Sequence, residues 1–278
     1  MIGKARSLEQ TGSFAMPTLY STGMAQERST VEDYFYPDFN DEITGTMIAS
    51  VSNLQEWTDQ EQRVILALAS RILELDHPRS MLDLGAGLGR LALQLIPYFN
   101  RGTLVEPDHD RRLHLSEICQ VVGALDRGFT VAAQWPEDSE QDSYDVAIIS
   151  HVFQHIPESS TYRILSQVSQ RLRPGGLLYV ATCFSGTSKD RFSVNQFNDQ
   201  QDWEERSIDG DEFEYLARVP VKGQLPVRFF TQDHLVSMIE GHNFSVIDAL
   251  PFHNVIDQDF PIRDFRDIAI IARRGLEN

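Results

Sequence analysis

Cysteine is nearly absent from this chain: 278 residues contain only Cys119 and Cys183. Two thiols cannot build the disulfide framework of a small secreted domain, and they point to a reducing cytoplasm. Long apolar runs are missing too. No stretch reaches the ~18 apolar residues that a membrane-spanning helix needs, and the opening "MIGKARSLEQTGSFAMPTLYSTG" has no apolar core of the secretory-signal kind. Basic residues are scarce, with 24 Lys and Arg against 41 Asp and Glu and a formal charge of -17. Only the isolated pairs Arg111–Arg112 and Arg273–Arg274 interrupt that balance, so the surface repels phosphate backbones. Neither nucleic acid nor a membrane is an expected partner. Internal repeats and low-complexity tracts are also lacking.

What is present is the composition of an ordinary globular chain. Residues 1 to about 30 are polar and weakly patterned; they are a candidate for swapping onto a second copy, and nothing decides between monomer and homo-oligomer. The segment "VEDYFYPDFNDE" follows, with Tyr34, Phe35, Tyr36 and Phe39 set among acids. A helix is predicted over "TDQEQRVILALASRILELDHP". Thr58 and Glu61 form a capping box there, Val64, Leu68, Ile72 and Leu75 share one face, and Pro78 provides the stop.

From residue 80 onward, short apolar strands alternate with helices. "SMLDL", "GTLVE", "FTVAAQ", "DVAIIS" and "LLYVAT" are the strands, and "RLALQLIPYF", "DRRLHLSEICQVVGAL" and "STYRILSQVSQRL" the helices. Fully apolar strands in a β-α rhythm predict a parallel sheet covered on both faces. The rhythm breaks at residues 184–228, polar at first and then apolar, a stretch long enough for a functional insertion. It resumes with a helix capped by Thr231 and ending near Gly241, then with the strands "SVIDAL" and "DIAIIAR". The expected organisation is an N-terminal extension and helical cap (1–76), a core (77–183 and 229–278), and an inserted lid (184–228).

The residues that carry chemistry gather around "MLDLGAGLGR". In an open α/β sheet, ligands sit at the carboxyl ends of the strands, so a glycine loop after the first strand belongs at the site. The dinucleotide fingerprint G-x-G-x-x-G fails, because Arg90 stands where its third glycine should be, and no G-K-[ST] follows for a phosphate loop. Instead Asp83, Gly85, Gly87 and Gly89 spell D-x-G-x-G-x-G. Glu106 closes the second strand, where an acid accepts from ribose hydroxyls in either kind of nucleotide site.

This run resembles the first motif of class I S-adenosylmethionine-dependent methyltransferases, and "YDVAIISHVFQHIP" with "RLRPGGLLYVAT" resembles that family's fourth- and fifth-strand segments. The resemblance is specific over residues 80–183. It implies a Rossmann-like, doubly wound seven-stranded sheet whose last strand is antiparallel. It implies S-adenosylmethionine as cofactor and S-adenosylhomocysteine as product, held by Asp83, Gly85, Ala86, Gly87, Glu106, Pro107 and Ser150. The family's adenine-binding Asp falls here on Ala133; Gln134 can replace its hydrogen bond, and Trp135 can lie against the ring. The implied reaction methylates O, N or C of a small organic metabolite, with natural-product biosynthesis one setting. A cofactor-binding protein without methyl transfer and an NAD-dependent oxidoreductase are the alternatives.

Methyl transfer needs a base only where the acceptor must lose a proton. His151 and His155 follow the fourth strand. In the plant-type O-methyltransferases that this segment is similar to, a His placed like His155 is the catalytic base. Two His at i,i+4 spacing can also ligate a metal, but no Glu or Cys stands beside them in sequence, so no metal is expected. The acceptor pocket is expected under a roof of Tyr34, Phe35, Tyr36 and Phe39 together with Phe197, Trp203, Phe213 and Tyr215 of the insertion. The acids Asp202, Glu204, Glu205, Asp209 and Asp211 read as a solvated face, with attraction of a cationic acceptor the alternative.

Overall fold

The five residues of β1 (Ser80–Leu84) are buried on both faces, which makes this strand the centre of a sheet. Their side chains alternate between two apolar layers: Met81 packs with Leu104, Ile148 and Tyr179, and Leu82 packs with Ala147, Ile149 and Val180. The computed structural model describes residues 55–76, 80–135, 143–197, 203–219, 221, 224–254 and 265–276, all within one compact unit spanning residues 31–278.

Helix α1 (Gln55–Leu73) precedes β1 and buries Val64, Leu68 and Ile72 on one layer. It starts three residues before Thr58, so Thr58 lies inside the helix and is not its cap. The preceding Gln-Glu-Trp accepts helical geometry, and a formed helix propagates cheaply in either direction. After β1 come α2 (Ala92–Leu95), β2 (Arg101–Val105), α3 (His109–Val121), β3 (Phe129–Ala132), β4 (Tyr144–Ser150), α4 (Glu158–Arg171) and β5 (Leu172–Cys183). The inserted residues form β6 (Arg191–Phe197), β7 (Trp203–Ile208), α5 (Gly210–Arg218) and β8 (Gln224–Phe229). The chain ends in α6 (Gln232–Glu240), β9 (Phe244–Asn254) and β10 (Phe265–Arg274).

Seven strands pair in the order β3-β2-β1-β4-β5-β10-β9, with β10 antiparallel to both neighbours. This is the Rossmann-like doubly wound sheet with its last strand reversed, as the resemblance implied. The strand order reverses direction between β1 and β4, which opens a crevice above their carboxyl ends. The inserted residues are not a loop. They make a second sheet, β7-β6-β8, backed by α5. Thr231 caps α6 as expected, its side chain accepting from the His234 N–H.

Candidate active site

The chain leaves β1 through Gly85, Gly87 and Gly89, all at positive φ (79°, 56° and 83°). Only glycine adopts such a run without strain. The loop is tied down at its start: the N–H groups of Gly85 and Ala86 both donate to the Val105 carbonyl at 2.9 Å. The three glycines serve different ends. A Cβ on Gly89 would lie 2.8 Å from Leu115 and 3.1 Å from Leu93, so Gly89 lets helix and loop pack. A Cβ on Gly87 would meet nothing within 4 Å, so its backbone faces open space where a ligand can approach. The Ala86 methyl is buried in the core, which leaves only its backbone for a ligand.

Two buried acids flank the loop. Glu106 Oε2 accepts from the Gly87 N–H at 2.8 Å, and Oε1 accepts from the Asp108 N–H at 3.0 Å. Each carboxylate oxygen keeps a second lone pair, so Glu106 braces the loop and can still accept from a diol. Burial raises its pKa, while its two backbone hydrogen bonds and Arg111 pull the other way. Asp83 is pushed up to about 7, first by burial, with Arg90 opposing and Glu106 adding to the shift. No hydrogen bond reaches the Asp83 carboxylate among the described residues.

Beyond Glu106, the residues Pro107, Ala133, Gln134 and Trp135 line one cavity with Leu84, Val105, Ile164 and Gln167. The first four are sequence-predicted; Ile164 and Gln167 come from α4. Their only signal was i,i+3 spacing, which places them on one face of that helix. The indole Nε1 of Trp135 and the hydroxyl of Ser150, at the end of β4, are buried with no hydrogen-bond partner. Both are polar groups that a ligand would satisfy.

His151 and His155 stand on the turn after β4 in different states. His155 is buried, and its Nδ1 donates to the Pro226 carbonyl of β8 at 2.8 Å, so Nε2 carries the lone pair. Burial drops its pKa to about 4, against the effect of that hydrogen bond. His151 has a left-handed backbone (φ 56°), and its N–H donates to Ala181. Its Nδ1 accepts from the Gln154 amide at 3.2 Å, and the Gln154 carbonyl oxygen accepts from Thr182 at 2.9 Å. Nε2 therefore bears the proton and lies 3.8 Å from Asp267. Burial lowers this histidine to about 3, with Arg90 and His155 adding to the shift. Both rings are neutral at pH 7.

The roof differs from expectation. Phe213 is fully buried and packs on Phe192 at 5.3 Å between ring centroids, inside the inserted unit, because β6 and α5 need a core of their own. Tyr215 is exposed. The side chains of Phe197 and Trp203, and all of Tyr34, Phe35, Tyr36 and Phe39, lie outside the described residues. Among the acids, Asp209 caps α5, Glu204 and Glu205 are exposed, and Asp202 is outside the described residues. The inserted sheet is held by Arg228, which is buried between Glu158 (2.7 Å) and Asp190 (2.8 Å) and lies over the Phe230 ring.

A family model described as a methyltransferase domain matches residues 57–249, more than half of the chain. No curated protein matches the sequence. Among solved structures, the chain is similar to 1,6-didemethyltoxoflavin-N1-methyltransferase from Burkholderia thailandensis, at 18% identity and TM-score 0.55, covering 80% of this chain and 81% of that one. It is similar to an S-adenosylmethionine-dependent methyltransferase from Clostridium acetobutylicum, at 13% identity and TM-score 0.54, covering 84% and 96%. Magnesium protoporphyrin IX methyltransferase from Synechocystis is similar at 12% identity and TM-score 0.52, covering 80% and 86%. At these identities the likeness is one of fold.

Proposed function

The chain belongs to the methyltransferase-domain family, and from that premise we propose that it is an enzyme that uses S-adenosylmethionine to methylate an O, N or C atom of a small organic metabolite. The observation that carries this is the open face of Gly87 next to the Glu106 carboxylate, beside a cavity lined by Trp135.

These residues suit the cofactor. The bound group supplies an electrophilic methyl on a sulfonium. Glu106 accepts from the ribose diol through its free lone pairs. Asp83 offers a buried carboxylate that a cationic amino group would keep ionised. The cavity between Pro107, Trp135 and Ile164 takes the flat, largely apolar adenine, and Gln134 takes over the hydrogen bond of the missing acid. Ser150 donates to the cofactor from the end of β4. Held this way, the donor needs only an acceptor in line with it, and such positioning is worth ~7–11 kcal/mol.

Where the acceptor must lose a proton, His155 is the better base. Its Nδ1 donates to the Pro226 carbonyl, so Nε2 carries the lone pair, whereas His151 bears its proton on Nε2. The inserted sheet, carried on β8 against that turn, serves as the lid over the acceptor and excludes water. Toxoflavin-precursor and porphyrin methyltransferases among the similar folds act on organic small molecules of this general kind. A place in natural-product biosynthesis, in the cytoplasm, agrees with the elaborated lid and with two free cysteines.

Calorimetric titration with S-adenosylmethionine, S-adenosylhomocysteine and NADH tests the cofactor site. Micromolar binding of the first two and none of NADH is expected. Failure of both would end this reading. A screen of small phenols, amines and enols for release of S-adenosylhomocysteine then tests the acceptor class, and turnover on none of them would overturn it.

A further inference from the structure

We propose that His151, Cys183 and Asp267 form a metal site at the carboxyl edge of the sheet, built for a zinc-like divalent ion with one position left open.

Three adjacent strands deliver the ligands. Cys183 ends β5, and Asp267, near the start of β10, is its register partner, so both side chains stand on one face of the sheet. His151 follows β4 in a left-handed conformation that is uncommon for a residue with a Cβ. That conformation turns its imidazole onto the pair. One donor atom from each of the three residues lies within 4.8 Å of the others. The Nε2 to Asp267 Oδ2 separation of 3.8 Å is too long for a hydrogen bond. It is close to the spread of two ligands on one zinc, where metal–nitrogen and metal–oxygen bonds of ~2.0–2.2 Å at the tetrahedral angle put donors about 3.4 Å apart.

The chemistry of the set agrees. Neutral imidazole, thiolate and carboxylate together carry two negative charges, and a divalent ion leaves the buried site neutral. Without an ion, the imidazole Nε2 is buried with no hydrogen-bond partner. The surroundings are also built for it. Metal on Nε2 requires the proton on Nδ1. Turning the Gln154 amide over then offers its oxygen to Nδ1–H and its NH2 to the Thr182 hydroxyl, preserving both bonds. Leu225, Val227 and Phe229 pack around Cys183 and keep the site dry. Three protein ligands leave a fourth position for an acceptor oxygen, nitrogen or sulfur, which the ion would hold and make more acidic. That last role rests on the methyl-transfer reading; ion binding does not.

The test is done on full-length protein stripped with a chelator, dialysed, and titrated with Zn2+ or Co2+ alone. One ion per chain should bind. Co2+ should give a thiolate-to-cobalt charge-transfer band that Cys183→Ser abolishes and Cys119→Ser leaves intact. His151→Gln and Asp267→Asn should weaken Zn2+ at least tenfold; His151 lies on a turn, so its variant serves if Cys183→Ser does not fold. Absence of binding at micromolar Zn2+, or a band that persists in Cys183→Ser, overturns the site. Calorimetry with S-adenosylmethionine on the same stripped samples separates the two readings. Cofactor binding without zinc removes the metal site alone, and zinc binding without the cofactor removes the methyltransferase reading alone.

Discussion

The backbone N–H of Gly87 donates to the Glu106 carboxylate, 2.8 Å from Oε2, while the other oxygen of the same group accepts from Asp108. One side chain at the end of β2 thus sets the shape of the loop that leaves β1. Under the proposed function, the shape of the loop and the recognition of ribose are therefore coupled.

Replacing Glu106 should damage both. In Glu106→Ala two backbone N–H groups lose their acceptor, at about 1–3 kcal/mol each where water cannot replace it. Calorimetry should show cofactor affinity reduced at least tenfold, and urea unfolding a lower midpoint. Unchanged affinity in a folded variant would place the ribose elsewhere.

Gly87→Ala and Gly89→Ala should part company. Both force a side chain into positive φ, at roughly 1–2 kcal/mol, but only Gly89→Ala also drives a Cβ into Leu115 and Leu93. Gly89→Ala is expected to lose more stability in urea. Gly87→Ala is expected to stay folded and lose cofactor affinity, because its methyl fills the open face. Equal cofactor binding by Gly87→Ala and wild type would contradict the assignment of that face.

Asp83 predicts a pH dependence of definite sign. Its pKa rises from 3.8 to about 7 on folding, so between those values the native state holds a proton that the unfolded chain has released. Its contribution to stability is present below about pH 4 and is lost as pH rises through 7. Buried His151 and His155, depressed to about 3 and 4, act oppositely and lose stability as pH falls below 6.5. The difference between wild type and Asp83→Asn isolates the acid, and stability relative to the variant should decline from pH 4 to 7. Cofactor affinity of wild type should rise over the upper part of the same window, as the carboxylate forms. A flat difference curve would contradict the buried, raised Asp83.

Trp135 should report the cofactor directly. Adding S-adenosylmethionine should change the intrinsic fluorescence of wild type, and Trp135→Phe should abolish most of that change while Trp57 and Trp203 remain. Trp135→Ala should weaken binding by the ~1–3 kcal/mol typical of a stacked base. An undiminished signal in Trp135→Phe would move the adenine out of this cavity.

Arg228→Met should unfold more easily without touching the cofactor. It removes the buried guanidinium that pairs with Glu158 and Asp190, leaving Asp190 with the Thr231 N–H and His234, and breaking one half of a buried pair costs about 3–5 kcal/mol. Thermal unfolding should shift downward while calorimetry with S-adenosylmethionine stays close to wild type. A parallel loss of cofactor affinity would mean that the inserted sheet also shapes the cofactor site.

Much of the molecule follows from local pattern. Short apolar runs such as "DVAIIS" in a β-α rhythm point to strands buried on both faces, and the closely spaced glycines of "DLGAGLG" point to a loop that needs positive φ. Thr231 capped its helix because a hydroxyl before an apolar period satisfies an exposed N–H wherever it occurs. α1 begins before Thr58 for the same kind of reason: a capping box is a local preference, and three more helical residues override it.

The sequence by itself thus determined the β-α alternation, the glycine loop, the acid after each of the first two strands, and the histidines after the fourth. Tertiary structure alone decided which distant residues meet. Gln167 and Ile164 reach the cavity because α4 packs over it. Phe213 became core, not roof, because the insertion folded into a sheet of its own. His155 gained its tautomer from Pro226, 71 residues away. Cys183 and Asp267 came to face His151 only through the antiparallel pairing of β5 with β10. Periodicity and turn chemistry act over a few residues, whereas strand order and register act across the whole chain, and no short window of sequence contains them.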